Sequence, residues 1–236
     1  MTKLTSNQIK QLNSYSVYIN QPQYLLFTLQ DLLNSEKTDD CIRGVQTVSG
    51  SPNKTVAASF FMRRLGMFIN MQLYNLAAYD EIWNGDATKM YFGAVEEYGN
   101  RTVSTFVEES DWQAVDENEH RDVIQKILLQ ADKVIRQIRT VTSVSPLTLW
   151  ENIFGFLLWQ YHVMLNDPSM NEEARRDLDI LKDDATWTGI ASHSLFAKYL
   201  NGRNPSELLN TTVRTTCCFS KDVPGLMQCG FCPLKN

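Results

Sequence analysis

The chain has 236 residues, of which 43% are apolar and 21% are charged, an ordinary composition for a soluble globular protein. Its formal net charge of −5 argues against a nucleic-acid-binding protein, because such proteins present a basic surface to the phosphates. A chain of this length can bury a substantial core, as one domain or as one domain with a small appendage.

The N-terminal sequence, MTKLTSNQIKQL, contains no apolar stretch of the kind found in signal peptides. The longest apolar-rich run, residues 153–165, is interrupted by Gln160 and His162 and is too short and too polar to span a membrane. We therefore expect a cytoplasmic protein without a membrane span. In that compartment thiols stay reduced, and clustered cysteines bind metal more often than they form disulfides.

Helical periodicity dominates the first part of the chain. Leucines at helical spacing over residues 25–33 predict a helix that begins at Pro22. The polar stretch that follows, as far as Pro52, is typical of a loop, and Cys41 is expected to be an isolated thiol within it. A long apolar stripe over residues 53–80 then predicts a single helix.

The middle of the chain changes its periodicity. Aromatic and β-branched residues flank Tyr98, Gly99 and Asn100, which predicts a small β-hairpin with its turn at those residues. Asp116 and Glu119 have the spacing of a helix N-cap and its partner, and apolar residues continue that helix.

The second half is expected to be helical. One helix begins at Ser145-Pro146 and ends at Asp167-Pro168, a charged surface helix follows, and a last helix covers about residues 192–200. The sequence thus predicts a mainly α fold with a small β-hairpin, of the α+β class. Residues 1–205 form its helical body, and residues 206–236 form a cysteine-rich C-terminal segment.

Four of the five cysteines lie in this segment with the spacing C-C-x10-C-x2-C. They are Cys217, Cys218, Cys229 and Cys232. The second pair can bring two thiolates to one metal, and Gly230 lets the backbone turn between them. The adjacent first pair is awkward for zinc, whose ligand pairs are usually separated by two to four residues. Four thiolates are what a [2Fe–2S] cluster needs, so the residues favour iron–sulfur and leave structural zinc open.

The same segment resembles the C-terminal signature of the FhuF-like ferric-siderophore reductases. The residues that carry the resemblance are Arg214-Thr-Thr-Cys217-Cys218, ten further residues, and then Cys229-Gly-Phe-Cys232-Pro-Leu. They make up about 20 of the 236 residues, and their spacing is specific. The chain departs from the family at Phe219, which follows the first pair directly, where the family often has an aromatic residue one position later.

The resemblance implies a [2Fe–2S] cluster bound by the four cysteines and an oxidoreductase involved in iron homeostasis. Such an enzyme reduces Fe(III) in ferric siderophores, here expected to be of the hydroxamate type, to Fe(II) and releases iron in the cytosol. Because the chain lacks a Gly-rich dinucleotide fingerprint, the electrons should come from a separate donor. That donor would be a ferredoxin, a flavodoxin or a flavin- or NAD(P)H-dependent reductase.

Other residues are assigned to the surroundings of the cluster and to the substrate. The backbone N–H groups of Gly230 and Phe231 are candidates to bond the sulfur atoms. Apolar side chains that could shield the cluster from water are Phe219, Leu226, Met227 and Phe231. Candidate contacts for the siderophore are Arg214 and Lys221, with Arg63, Arg64 and Lys235 as further cations.

The competing interpretation is a non-enzymatic helical binding or adaptor protein with a structural zinc site formed by the same four cysteines. The three histidines offer no ligand set that would decide between the two. His120 is expected to be solvated, His162 to be a hydrogen-bonded core residue, and His193 to face a pocket at most.

Overall fold

The computed structural model describes residues 3–97 and 99–234. Its helices are α1 (Ser6–Ser14), α2 (Leu29–Leu33), α3 (Thr38–Ser49), α4 (Lys54–Tyr79), α5 (His120–Arg139), α6 (Pro146–Leu165), α7 (Asn171–Lys182), α8 (Leu195–Leu200) and α9 (Pro205–Leu208). Its strands are β1 (Val17–Ile19), β2 (Leu25–Thr28), β3 (Glu81–Trp83), β4 (Tyr91–Glu97), β5 (Asn100–Val107) and β6 (Trp112–Ala114). The predicted class, mainly helical with a small sheet, is confirmed. No helix in these residues is long and apolar enough to cross a membrane.

Helices α4 and α6 form the centre of the molecule. Both begin as the sequence predicts: the Asn53 side chain accepts a hydrogen bond from the Val56 N–H, and Ser145 caps α6 with a proline in its first turn. The two helices pack closely at Gly66, where a Cβ atom would lie 3.1 Å from the Cα atom of Ile153. The glycine in the middle of α4 therefore has a packing role, and it fixes the distance between the two helices.

The β-structure is larger than the sequence predicts. The predicted hairpin is present as β4 and β5, although Tyr98 of its predicted turn lies outside the described residues. Two more strands extend it into a sheet with the order β1-β5-β4-β2, in which β1 runs parallel to β5. Strands β3 and β6 form a second, two-stranded sheet.

The helix predicted from Pro22 is wrong in its first half. Residues 25–28 form β2, because their backbone pairs with β4 at the open edge of the hairpin. Helix α2 begins only at Leu29, where Thr28 and Asp31 form a capping box that satisfies two backbone N–H groups at the helix start. A long-range pairing therefore overrides the helical spacing of the leucines.

The loop predicted before Pro52 is also wrong, because residues 38–49 form α3. Cys41, Ile42 and Val45 lie on its buried face, and the helix ends at Gly50, whose φ of +67° is the left-handed conformation that terminates many helices. Cys41 is therefore a buried core thiol inside a helix.

A smaller correction concerns one helix start. The Asp116 side chain makes no capping bond, and a three-residue 3-10 turn precedes α5, which begins at His120. After the end of α8, Pro205 occupies the first turn of the short helix α9, where its missing N–H costs nothing.

The prediction that His120 is solvated is wrong, because its side chain is fully buried between three helices. Its Nδ1 lies 2.9 Å from Asp177 of α7, and its Nε2 lies 3.0 Å from Asp80 at the end of α4. His162, by contrast, is partly exposed and bonds the Ser206 hydroxyl, and His193 is exposed beside Asp184. One buried histidine at the start of α5 thus joins the end of α4 to the middle of α7.

This contact makes the stability of the fold depend on pH. Burial acts to lower the pKa of His120, but the hydrogen bond and charge of Asp177, together with Asp80, outweigh it and raise the pKa. A raised pKa in the folded state stabilises the protein below the unfolded value of about 6.5, and this contribution is lost as the pH rises through the folded pKa.

We therefore expect His120→Gln to lower the free energy of unfolding by about 3 kcal/mol at pH 6, because the buried Asp177 carboxylate loses its 2.9 Å histidine partner and keeps a longer contact with Arg176 at 3.5 Å. The deficit should shrink towards pH 9. Urea unfolding of both proteins from pH 5 to pH 9 measures it, with the exposed His193→Gln as control. A deficit that grows with rising pH would contradict the assignment.

Candidate functional site

The cysteine segment is anchored to α6 by a buried carboxylate. Glu151 is only 1% exposed, yet it lies in a mostly apolar helix. Its carboxylate accepts hydrogen bonds from the backbone N–H of Thr215 at 2.8 Å and of Thr216 at 3.0 Å, and from both threonine hydroxyls. A buried charge with this many donors is satisfied, so it holds the chain immediately before the first cysteine pair in one position.

Arg214 completes this anchor from the other side. Its guanidinium group donates to the backbone carbonyls of Thr148, Glu151 and Thr216 at 3.1 to 3.3 Å, and its Nε lies 3.7 Å from the Glu151 carboxylate. Arg214 is 5% exposed. Its contact with a siderophore stays a prediction. In this conformation the guanidinium group donates its hydrogen bonds to carbonyl groups of the protein itself.

Helix α4 supports the first cysteine pair through a hydrogen bond to the backbone of Cys218. The Ser59 hydroxyl donates to the backbone carbonyl of Cys218 at 2.8 Å, and the Asn152 amide of α6 donates to the Ser59 hydroxyl at 2.9 Å. All these groups are buried. The close packing of α4 on α6 therefore fixes the backbone of Cys218 from two helices at once.

A second cation lies beside the cysteines. Arg63, one turn after Ser59 on α4, places its Nη1 3.9 Å from the Cys218 sulfur and donates to the Ser220 hydroxyl. Burial lowers the pKa of Arg63, while the neighbouring thiols act to raise it, and a guanidinium keeps its charge in proteins. Arg64 points elsewhere, with its guanidinium bonded to Glu97 and to β5, so only Arg63 of the adjacent pair reaches the cysteines.

Two of the four cysteines accept a hydrogen bond to the sulfur from the backbone N–H two residues further along the chain. The Phe219 N–H donates to Cys217 at 3.3 Å, and the Leu234 N–H donates to Cys232 at 3.4 Å. The backbone of Ser220 acts to lower the pKa of Cys218, and that of Phe231 acts to lower the pKa of Cys229. Backbone N–H groups that point at sulfur stabilise thiolates and tune metal–sulfur centres. The bonds predicted from the Gly230 and Phe231 N–H groups to sulfur stay predictions.

The structure brings one cysteine of each pair into contact. The hydrogen bond from the Cys229 thiol, followed by the charge of Arg63, lowers the pKa of Cys218 well below its ordinary value, against the effect of burial. The pKa of Cys229 is raised, because it shares its proton with this neighbouring sulfur and is itself partly buried. One thiol of this pair is therefore ionised first.

The other two cysteines, Cys217 and Cys232, take no part in the contact between Cys218 and Cys229. Cys232 is buried and its sulfur accepts a hydrogen bond from the Gln228 amide at 3.0 Å, while Cys217 is half-exposed. Among the described residues, no three His, Cys, Asp or Glu side chains lie close enough together to hold a metal ion. The two halves of the motif face each other through Cys218 and Cys229.

The apolar side chains predicted to shield the cysteines divide into two groups. Phe231 is buried and packs on Gly155 of α6, and Phe219 is half-buried. Leu226 is 37% exposed and Met227 is 87% exposed, so neither covers the sulfur atoms in this conformation. Shielding comes from the aromatic residues and from the helices beneath.

The backbone bends directly after the adjacent cysteine pair, at Phe219. This residue has a φ of +55°, a left-handed conformation that non-glycine residues adopt rarely, and a 3-10 turn over residues 220–222 follows. Lys221, the second candidate substrate contact, is exposed in that turn. Lys235 lies outside the described residues.

The residues present fit a [2Fe–2S] cluster in their chemistry. Four thiols supply the required ligand set, backbone N–H groups donate to the sulfur atoms of Cys217 and Cys232, and Arg63 and Arg214 place positive charge near Cys218. The local chemistry of the segment is therefore suited to thiolate ligands.

No protein-family model, curated protein or solved structure matches the chain.

Sequence reasoning missed the residues that position the cysteines. Glu151 and Asn152 stand as two polar residues in an apolar helix, and this interruption of the pattern is the signal that could have found them. Ser59 carries no such signal, because a serine in a helix is common. Arg63 was considered only as a substrate contact, and its place beside Cys218 depends on how α4 packs on the segment.

We expect Glu151→Gln to loosen the cysteine segment, because the amide cannot accept from both threonines and removes the charge opposite Arg214. The cost should be about 2–4 kcal/mol, felt first in this segment. Hydrogen exchange at the Thr215 and Thr216 amides measures it, with the exposed Glu172→Gln as control. Unchanged protection at these amides would show that Glu151 is not the anchor.

Arg63→Gln should raise the pKa of Cys218 in the reduced, metal-free protein by about one pH unit, because it removes the nearby positive charge. Arg63→Lys, which keeps the charge, should shift it less. The chemical shift of the Cys218 Cβ carbon, followed by NMR across pH 3–9, reports the midpoint. Equal midpoints in the wild type and Arg63→Gln would remove Arg63 from the site.

Proposed function

We propose that this protein is an iron–sulfur oxidoreductase that reduces Fe(III) in ferric siderophores, of the hydroxamate type, to Fe(II). The observation that carries the proposal is the set of four cysteines in C-C-x10-C-x2-C spacing, with backbone N–H donors at the sulfur atoms of Cys217 and Cys232. Such donors stabilise the thiolate form in which cysteine binds iron.

The cofactor would be held by the cysteines of the two pairs. These ligands are Cys217, Cys218, Cys229 and Cys232. A bound [2Fe–2S] cluster supplies transfer of one electron at a time, at a potential set by hydrogen bonds to sulfur, by charge and by exposure. The chain provides all three controls: the backbone N–H groups, the guanidinium groups of Arg63 and Arg214, and the burial of Phe231 on α6.

The reaction itself asks little of the remaining residues. Fe(III) in a siderophore is held by hard oxygen donors, and addition of one electron gives Fe(II), which these donors hold much more weakly, so the metal is released. No proton needs to move at a protein side chain, and no nucleophile is required. The protein has to bind the chelate close to the cysteines and exclude water from them.

The electrons would come from a separate protein, because the sequence has no Gly-rich dinucleotide fingerprint. A ferredoxin, a flavodoxin or a flavin- or NAD(P)H-dependent reductase has the required chemistry. Each iron released consumes one electron, so the donor has to act once per chelate.

The cluster is tested on protein purified without oxygen. We expect a red-brown sample that contains two irons and two sulfides per chain and bleaches with dithionite, as four thiolate ligands would hold such a cluster. Single Cys→Ser changes at positions 217, 218, 229 and 232 should each abolish or sharply reduce cluster content and the reduction of a ferric trihydroxamate. Cys41→Ala, which removes the one cysteine outside the segment, is the matched control and should keep both.

The opposite outcome is equally clear. A colourless protein that holds one zinc per chain, and loses it when any of the four cysteines is changed, would make the segment a structural zinc site. The protein would then be a helical binding or adaptor protein, and the reductase proposal would fall. Full reductase activity after removal of one of the four cysteines would have the same effect.

A further inference from the structure

A cleft of about 800 Å³ opens beside the first cysteine pair. It lies between the start of α4, the turn after α5 and the chain that follows Cys218. The side chains that matter for its chemistry are Lys54, Thr55, Thr142, Ser143, Phe219 and Asp222. Its volume falls within the range of roughly 300–1,000 Å³ that is usual for small-molecule sites.

Phe219 connects this cleft to the cysteines. Phe219 lines the cleft, and its backbone directly follows Cys218 and donates its N–H to the Cys217 sulfur at 3.3 Å. Its left-handed backbone is a strained conformation for a residue other than glycine, and such strain is concentrated at functional sites. A molecule in the cleft would therefore be separated from the cysteine pair by a single residue.

The lining offers neutral hydrogen-bonding groups. The hydroxyls of Thr55 and Ser143 lie 3.3 Å apart across the two elements that form the cleft. Val56 and Val141 add apolar surface next to them. This mixture suits a ligand with amide-like and carbonyl oxygens on an aliphatic frame.

The charges of the cleft are balanced or slightly negative. The ammonium group of Lys54 forms an ion pair with Asp39, so its charge is compensated before any ligand arrives. Asp222 adds an exposed carboxylate at the Phe219 side. Among the described residues that line the cleft, there is no excess of positive charge to hold a multiply charged anion, which Asp222 would repel.

We propose that this cleft is where the ferric chelate binds, an inference that rests on the proposed function. The charge balance selects a neutral chelate over a trianionic one. Three hydroxamates each carry one negative charge and together neutralise Fe(III), whereas three catecholates carry six and leave a net charge of 3−. The bound chelate lies against Phe219 and the two hydroxyls, next to Cys217 and Cys218.

Binding is tested separately from electron transfer with gallium(III) complexes, which have the charge of the iron(III) complexes and are not reduced. Titration calorimetry on the full chain should show that Ser143→Trp, which fills the cleft, weakens binding of gallium(III) linear trihydroxamate about tenfold or more. Thr55→Trp should do the same. Asn7→Trp, on the exposed face of α1, is the matched control and should bind like the wild type.

The expected preference for a neutral chelate over a trianionic one is tested in a separate experiment. The wild type should bind a gallium(III) tricatecholate about tenfold more weakly than the trihydroxamate. Asp222→Lys should narrow that difference by strengthening tricatecholate binding, with little change for the neutral complex. Thermal unfolding of each variant confirms that it is folded before binding is compared.

The outcomes separate the cleft from the reductase activity. The cleft is not the binding site if both tryptophan variants bind the trihydroxamate with wild-type affinity, or if the wild type does not bind it. Either result overturns this inference even where the wild type carries a cluster. Loss of binding in the tryptophan variants of a protein that has no cluster supports the cleft and removes the reductase proposal. Loss of both binding and reduction in these variants, with cluster content retained, supports both.

Discussion

The site depends on the buried carboxylate of Glu151 more than on any other single group. A charge taken out of water is tolerated only when donors surround it, and here the donors are the two threonines directly before the cysteines, opposite Arg214. Because the pairing is so specific, the chain has one low-energy way to lie on α6. The positions of Cys217 and Cys218 follow from that constraint.

The two central helices, α4 and α6, support different parts of the cysteine segment. Helix α6 holds the approach to the cysteines through Glu151 and carries the surface on which Phe231 packs, while α4 reaches Cys218 through Ser59 and Arg63. Both act on the same segment because Gly66 lets the helices approach closely. A wider spacing would move Asn152 away from Ser59 and break the link between the two supports.

The success of prediction from the sequence followed the range of the interactions. Helices α4, α5 and α6 were predictable because their apolar spacing is repeated over several turns. Strands β1, β2, β3 and β6 were missed, since each has three or four residues and exists only through a partner distant in sequence. Helix α3 was missed because its exposed face is polar enough to resemble a loop.

The same rule applies to the site. The cysteine spacing is a local feature that the sequence displays, whereas Arg63, Ser59 and Glu151 act over 60 or more residues. His120 shows the reverse error: a polar residue at a helix start was assigned to solvent, although its ring is buried and bonds two aspartates from other elements. Local patterns identify candidate ligands, and tertiary packing decides what surrounds them.

The anchoring of the segment limits how far it can be treated as a portable motif. Residues 206–234 contain the four cysteines and their backbone donors, but the groups that fix them belong to α4 and α6. If the segment were grafted onto another scaffold, it would keep the spacing of its cysteines but lose the contacts that fix their positions. A transplanted segment would therefore need two supporting helices as well. These helices would need a glycine where they cross and a buried glutamate placed to accept hydrogen bonds from the two threonines.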